Sequence, residues 1–398
     1  MSTSGMVAGS AGAAGTSRPG SPHGGAVAAT AVLACVGLVM VWSTTAPFAL
    51  DAAVPPHFAR HLLGLGLGIA VMVVCMLLPL QVWRRLALPL WALCVVLLAL
   101  TLAIGTEAKG SQRWLSIPGL GPVLQPVELA KWATLLATAT ALSREPSVRR
   151  HARFQLPVSG LVLLLAALPA ALVFVQPDTK GALLVLMLVA LQLFVAGAPL
   201  RAFAIPALVG AGGLAAAAAV RPYVMNRILA FLDPWANAQD SGFQLVQSFV
   251  AFGRGGLGGV GLGNGRQKLF YLPEAHTDFV LSVVAEELGL VGVSLVLGAF
   301  AALLVAGVRI TPRARGASGF VVPSSMPAVI AVPAAINAAV VMGMVPPTSL
   351  TLPFVSYGRS SLLVSCAAIG ILLGISRREG ARPEPAPERG VGWRARSR

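Results

Sequence analysis

Ten long apolar runs, at about 27–49, 61–81, 86–106, 125–143, 155–175, 181–197, 201–220, 282–308, 322–345 and 360–376, govern what this chain can fold into. Each approaches the roughly 20 residues a helix needs to cross a bilayer. The runs lack the alternation of barrel strands, and a segment in hydrocarbon must satisfy its own backbone groups, so each is predicted as a helix. The run at 125–143 is the weakest, because it contains Glu128 and Lys131. Composition points the same way. The 398 residues are 56% apolar and only 11% charged, whereas a soluble domain is about a quarter charged. A soluble globule, a disordered chain, a collagen and a disulfide scaffold are all excluded. The predicted class is an all-α polytopic membrane protein with ten transmembrane helices and a large extracytoplasmic loop between the seventh and eighth.

A formal charge of +15 suggests nucleic acid in a soluble chain. In a membrane protein it has a simpler source, because basic residues collect in cytoplasmic loops. With the N-terminus inside, 18 of the 29 Lys and Arg fall on the cytoplasmic side, among them Arg84, Arg85, Arg149, Arg150, Arg153, Arg313 and Arg315. Both termini are therefore expected in the cytoplasm, and no nucleic-acid partner is expected. The chain divides into a flexible cytoplasmic tail at 1–26, a membrane domain at 27–378 and a basic cytoplasmic tail at 379–398. The first apolar run is too long for a signal-peptide core and is read as a retained helix. Cys35, Cys75, Cys94 and Cys366 all lie inside apolar runs, as small buried hydrophobes do.

Polar interest concentrates outside. Residues 221–281 form an external segment far longer than a connector needs, and its aromatics, glycines and paired charges suggest an ordered functional loop. Its end, Tyr271-Leu-Pro-Glu274-Ala-His276-Thr277-Asp278-Phe279, gathers polar groups at the entry to a membrane helix, with Glu286 and Glu287 about 12 Å further along. Thr277 or Asp278 is placed to cap that helix. Carboxylates at such depth are costly and mark either a site or a paired charge. For Glu286 and Glu287 both readings stand. The glycine-rich run from Gly253 to Lys268 holds a nominal GxGxxG twice, but no strand precedes it, so a dinucleotide fold is rejected. It is either a flexible turn or a backbone that approaches a phosphate-bearing ligand, with Arg266 and Lys268 as counter-charges. Glu128 and Lys131 are spaced i, i+3 on one helix, as a structural ion pair or part of a groove for an anionic ligand.

These residues bring a resemblance into view. The runs Phe-Leu-Asp233-Pro-Trp235, Gln244-Leu-Val-Gln-Ser248, Gly-Leu-Gly-Asn264-Gly-Arg266-Gln-Lys268, Leu-Pro-Glu274-Ala-His276-Thr-Asp278-Phe and Ala-Glu286-Glu-Leu-Gly are similar to the SEDS (shape, elongation, division, sporulation) family. So are Gln125-Pro-Val-Glu128-Leu-Ala-Lys131, Gln176-Pro-Asp178 and Leu352-Pro-Phe-Val-Ser356-Tyr357-Gly, and the matches run in order from about 109 to 378. The form around Asp278 looks more like the division-type branch than the elongation-type.

The resemblance implies a peptidoglycan glycosyltransferase that polymerises lipid II at the outer face of the bacterial cytoplasmic membrane, at the division septum. It implies Asp278 as catalytic acid, and Arg113, Trp114, Glu128 and Lys131 as further site residues. Arg266, Lys268, Glu274, His276, Ser356 and Arg359 complete the expected substrate contacts. A carboxylate suits general-base removal of a sugar hydroxyl proton, and a diphosphate leaving group calls for cations or a divalent metal, Mg²⁺ or Mn²⁺. The implied partners are a class B penicillin-binding transpeptidase and other division proteins. Two readings compete: a lipid II flippase, and a non-enzymatic division scaffold. A transporter needs a polar path through the midplane, whereas the charges here cluster toward the outer ends. A scaffold would tolerate Asp278→Ala.

The chain also departs from the family pattern. Asp178 is followed by Thr179-Lys180-Gly181 where the family reads x-Gly-Thr, and Pro346-Pro347-Thr348-Ser349 stands for Pro-Thr-Lys-Gly. Arg359 replaces a glycine, and Lys109 stands where Asn is common. The external loops thus lose a lysine at Thr348 and gain Lys180, Arg359 and Lys109. A cationic contact to the diphosphate is expected to have moved between loops.

Overall fold

The computed structural model describes residues 23–49, 53–108, 111–117, 121–144, 160–220, 222–310 and 317–379. The tail at 1–22, Lys109, the basic loops at 145–159 and 311–316, and residues 380–398 lie outside the described residues. Helix α1 spans Gly24–Thr45, α2 Pro56–Leu77 and α3 Leu80–Ile104. Strands β1 (Thr106–Ala108), β2 (Ser111–Ile117) and β3 (Gly121–Leu124) follow. Then come α4 (Pro126–Leu142), α5 (Gly160–Val175), α6 (Thr179–Val195), α7 (Ala204–Val220), α8 (Pro222–Leu232) and α9 (Phe243–Gly255). The chain ends in α10 (Val280–Ile310), α11 (Ala317–Ser325), α12 (Ala328–Val341) and α13 (Arg359–Glu379).

Every predicted apolar run contains helix. Six helical stretches among the described residues are long and apolar enough to cross a membrane: Gly24–Phe48, Pro56–Leu77, Leu80–Ile104, Val280–Ile310, Val321–Val341 and Arg359–Arg378. Gly160–Val175 and Thr179–Val195 are shorter apolar helices. The least apolar of the expected spans, α4, is the hub. Fourteen of its seventeen residues are buried, and it packs against α3, α5, α6, α11 and α13. Its composition follows from that position. It faces protein, so it needs no lipid-compatible surface, and its Ala and Thr side chains let neighbouring helices approach closely. The Thr138 hydroxyl donates to Leu135 O and to Gln192 Oε1, and Gln192 Nε2 donates to Leu135 O and to Ser325 Oγ, both at 2.9 Å. That knot ties α4, α6 and α11 together inside the bundle.

Two features depart from the all-α expectation. Strands β1, β2 and β3 form a small antiparallel sheet in that order, with Thr106 opposite Trp114 and Leu115 opposite Leu124. The expected external segment is not all loop, because α8 (11 residues) and α9 (13 residues) lie within it. A third difference lies within α10, which breaks at Gly289 (φ 65°, ψ −161°).

That break explains the glycine-rich run. The segment after α9 lies alongside the interrupted helix and satisfies the backbone groups the break frees. Val260 N donates to Glu286 O (3.0 Å), Gly261 N to Glu287 O (3.1 Å), and Leu290 N to Gly256 O (3.0 Å). Gly259 (φ 81°) and Gly289 sit so close that a Cβ on either would strike the other segment's backbone. Irregular backbone at such a place survives only where protein groups re-pair it.

Candidate active site

Asp278 stands two residues before α10, at the end of a tight turn. The amides of Thr277, Asp278 and Phe279 all donate to Glu274 O, at 3.1, 3.1 and 3.3 Å. Glu274 holds a left-handed φ of 59°, and its Oε2 accepts the Thr277 hydroxyl at 2.8 Å. The segment 349–357 clamps this turn from the other side. Asn337 Nδ2, on α12, donates to both Asp278 O and Leu350 O, each at 2.6 Å. Ser356 Oγ donates to Thr277 O and accepts Leu352 N at 2.8 Å, while Tyr357 N donates to His276 O at 2.9 Å. These bonds fix the backbone that carries Asp278. The residue itself is half-buried, enough to be held and still reachable.

A second wall comes from the start of α6 and from β2. Asp178, 2% exposed, caps α6 by accepting Gly181 N at 3.2 Å. Arg113 on β2 donates to Pro177 O at 3.0 Å and brings its Nε to 3.8 Å from Asp178. Arg227 on α8 donates to Pro347 O at 2.9 Å. The Lys180 ammonium donates to Ser349 O and lies in the electrostatic field of Asp178, Asp278, Arg113 and Arg227. Three cations and two carboxylates therefore interact around the start of α6.

His276 joins an aromatic cluster at the rim. Its ring lies 5.7 Å from His57, 5.8 Å from Phe48 and 6.0 Å from Tyr357. Neither His57 nor Phe48 stood out in the sequence. Asn337 and Arg227 were missed too, since an Asn inside an apolar run and an Arg inside an amphipathic stretch carry no motif of their own.

The remaining expected contacts are placed elsewhere or used differently. Lys131, 4% exposed, forms a 2.7 Å ion pair with Glu128 on the hub helix. Gln125 N, at the start of that helix, donates to Ser360 Oγ (3.1 Å) near Arg359. The stem of Arg359 lies beside Gly64 of α2. Trp114 is half-buried on β2, opposite Thr106. Lys268 is 6% exposed, and its ammonium is 2.6 Å from Glu287 and 2.7 Å from Ser43 Oγ. Glu286 accepts Arg266 N and Gln267 N at 3.0 Å each and pairs with Arg254 at 3.1 Å. Arg266 itself points outward and is exposed.

Among the described residues no group of three or more His, Cys, Asp or Glu could hold an ion.

Comparison with known proteins places this geometry. The FtsW/RodA/SpoVE model, described as cell cycle protein, matches residues 26–380. The chain belongs to that family. It is the family whose resemblance the sequence carries. Among curated relatives, the probable peptidoglycan glycosyltransferase FtsW of Coxiella burnetii is 39% identical over 359 residues, covering 88% of this chain and 95% of the relative. The protein of that name from Hahella chejuensis is 40% identical over 353 residues, covering 86% and 87%. Among solved structures, a chain of a peptidoglycan synthase complex coordinating polymerization and crosslinking superposes with a TM-score of 0.72 at 31% identity, covering 90% of this chain and 98% of the other. The rod shape determining protein RodA of Thermus thermophilus gives 0.65 at 29%, covering 89% and 97%.

Proposed function

We propose that this chain is a division-type peptidoglycan glycosyltransferase that polymerises lipid II. The single observation that carries the reading is the backbone clamp on Asp278. One carboxylate-bearing turn is fixed by three separate contacts from α12 and the 349–357 segment, beside a cluster of cations. Relatives named as peptidoglycan glycosyltransferases, similar over nearly their full length, support the same conclusion.

The chemistry follows from the residue types. The Asp278 carboxylate accepts the proton of the acceptor sugar's hydroxyl as that oxygen attacks the donor's anomeric carbon. The bond from that carbon to the lipid diphosphate breaks, and the diphosphate leaves with the bonding electrons. Negative charge grows on the leaving group, and the nearby cations stabilise it best in a cleft that excludes water. No step is routed through a metal.

In this reading the bundle crosses the cytoplasmic membrane ten times, with both termini inside and residues 221–281 outside. Asp278 then faces the compartment where glycan is assembled, and the septum is the site of action. The partner is a class B penicillin-binding transpeptidase; the structurally similar chain from a synthase complex supports this. A flippase fits less well, because the cations gather with Asp278 at one end of the bundle, while the interior knot around Gln192 is uncharged.

The test is polymerisation of labelled lipid II by the purified chain with its transpeptidase, read as glycan ladders. Asp278→Asn should abolish the ladder while leaving the protein folded. A ladder of wild-type intensity would overturn the enzymatic assignment and favour the scaffold.

A further inference from the structure

We propose that the cavity between the end of α1 and the glycine-rich segment holds a stretch of the isoprenoid chain of the lipid-linked substrate. The inference rests on the polymerase reading above and adds where the tail of that substrate lies. The cavity measures about 650 Å³, within the range of small-molecule sites. Val39, Trp42 and Pro47 line one side, and Leu262, Leu269 and Phe270 the other. Ser43, Gly263 and Lys268 also reach its wall. All three donate to Glu287, the Ser43 hydroxyl at 2.9 Å, the Gly263 amide at 3.1 Å and the Lys268 ammonium at 2.6 Å. The fold has put these polar groups to its own use. What the cavity offers a ligand is aliphatic and aromatic surface, and α1, which forms one wall, is long and apolar enough to cross a membrane. A chain dissolved in the bilayer therefore meets the cavity on the flank of a spanning helix.

The ring contacts say which chain. Phe270 in the cavity wall packs edge-on against Phe48 at 5.1 Å, and Phe48 packs against His276 at 5.8 Å. His276 stands two residues from Asp278, at most about 7 Å of chain. An apolar path thus runs from the cavity to the turn that carries the carboxylate. Phe270 is held at φ 67°, a left-handed conformation that disfavours a bulky side chain, and it is the residue that joins the cavity to the rings. In a lipid-linked donor the sugar, the diphosphate and the isoprenoid are joined in that order. With the anomeric carbon at Asp278, the tail must leave along one wall of the site, and this wall is aromatic from His276 to Phe270. The flat, methyl-bearing double bonds of an isoprenoid pack well on such faces. An ordinary phospholipid chain has no covalent link to Asp278. A partner's transmembrane helix needs about 30 Å of contact, whereas the cavity follows only residues 39–47 of the chain, about 12 Å at helical rise.

The experiment uses the full chain with its transpeptidase and has two arms. In the first, a diazirine-bearing farnesyl diphosphate is photolysed with the protein and the labelled peptides are sequenced. Label should fall on residues 39–48 and 262–270. A long-chain polyprenyl diphosphate should compete it away, and a phospholipid should not. In the second, lipid II with a long isoprenoid is compared with lipid II carrying a farnesyl-length tail. Each buried methylene is worth about fourfold in affinity, so the wild-type chain should favour the long tail by about tenfold or more in kcat/KM. Val39→Trp and Ala46→Leu, which fill the cavity, should cut that preference below about threefold. Label elsewhere on the chain would overturn the proposal. So would competition by phospholipid as strong as by polyprenyl diphosphate, or loss of label when the transpeptidase is added, which would give the cavity to bulk lipid or to the partner's helix. An undiminished tail preference in a folded, filled variant would do the same. The photolabelling needs no variant, so it decides the matter even where Val39→Trp and Ala46→Leu fail to fold. It also needs no turnover. Failure of the polymerase reading shows separately, as an Asp278→Asn chain that still builds glycan ladders.

Discussion

Asp278 and the Glu286–Glu287 pair stand on one stretch of chain, about 12 Å apart, yet the fold treats them in opposite ways. The two glutamates are fully buried, and their oxygens are taken up by Lys268, Arg254, Ser43 and the backbone amides of Gly263, Arg266 and Gln267. They hold the glycine-rich segment against the break in α10. Asp278 is half-buried, and the clamp around it grips the backbone carbonyls of its turn. A carboxylate consumed by its own fold cannot take a proton from a substrate. A half-buried one on an immobilised main chain remains within a substrate's reach. The difference separates a structural acid from a chemical one more sharply than sequence position does.

The largest effect expected from this contrast is on turnover. Asp278→Asn keeps the size of the side chain and the backbone clamp, and removes the base. Lipid II polymerisation should fall by a factor of about 10²–10⁴, with the melting temperature in detergent unchanged. Retention of more than a tenth of wild-type activity would remove Asp278 from the base role.

The second effect is on stability. Glu287→Ala leaves the Lys268 ammonium buried without its partner, which costs about 3–5 kcal/mol. It should appear as a large drop in melting temperature and in the yield of monodisperse protein. Replacing both partners, Lys268→Met with Glu287→Met, removes the unpaired charge and should recover most of the loss. A folded, active double variant would show that Lys268 serves the fold. A folded but inactive one would return Lys268 to the substrate site.

Much of this was legible in the sequence, and the failures have physical causes. Ten apolar runs gave the helices because burying or solvating a backbone in lipid leaves few alternatives. The cluster around Asp278 stood out because carboxylates are costly at a membrane helix entry. The hub helix looked weakest for the same reason it is most buried: hydropathy measures fitness for lipid, and α4 meets protein. The sheet of β1, β2 and β3 was overlooked, since three short strands carry little pattern beside ten apolar runs. The glycine-rich run was read as a turn or a phosphate cradle, because the break at Gly289 that it repairs is a tertiary event. Lys180 was visible only as a departure from a pattern, because its contact with Ser349 O is a tertiary event.

The break itself gives a smaller effect. Gly289 has a positive φ, and a Cβ there would meet the backbone of Leu257 and Gly259. Gly289→Ala should destabilise the protein by about 1–3 kcal/mol, seen as a lower melting temperature. Because the carboxylate pair and the clamp on Asp278 are held by different contacts, KM for lipid II in the surviving folded fraction should stay near wild type. A large rise in KM would mean that the two regions are coupled through α10.

The smallest effect tests the edge of the comparison. Arg266 belongs to the glycine-rich segment by its backbone, since its amide donates to Glu286 at 3.0 Å while the side chain is exposed. Arg266→Ala keeps that amide. Stability should move by no more than about 0.5 kcal/mol, as for ordinary surface substitutions, and KM for lipid II should change less than about twofold. The same substitution would raise KM about tenfold if the guanidinium touched the diphosphate. In that case the glycine-rich segment would serve two purposes at once, bracing the broken helix with its amides and reaching the substrate with the exposed Arg266 side chain, and the division between structural and chemical regions would run through a single residue.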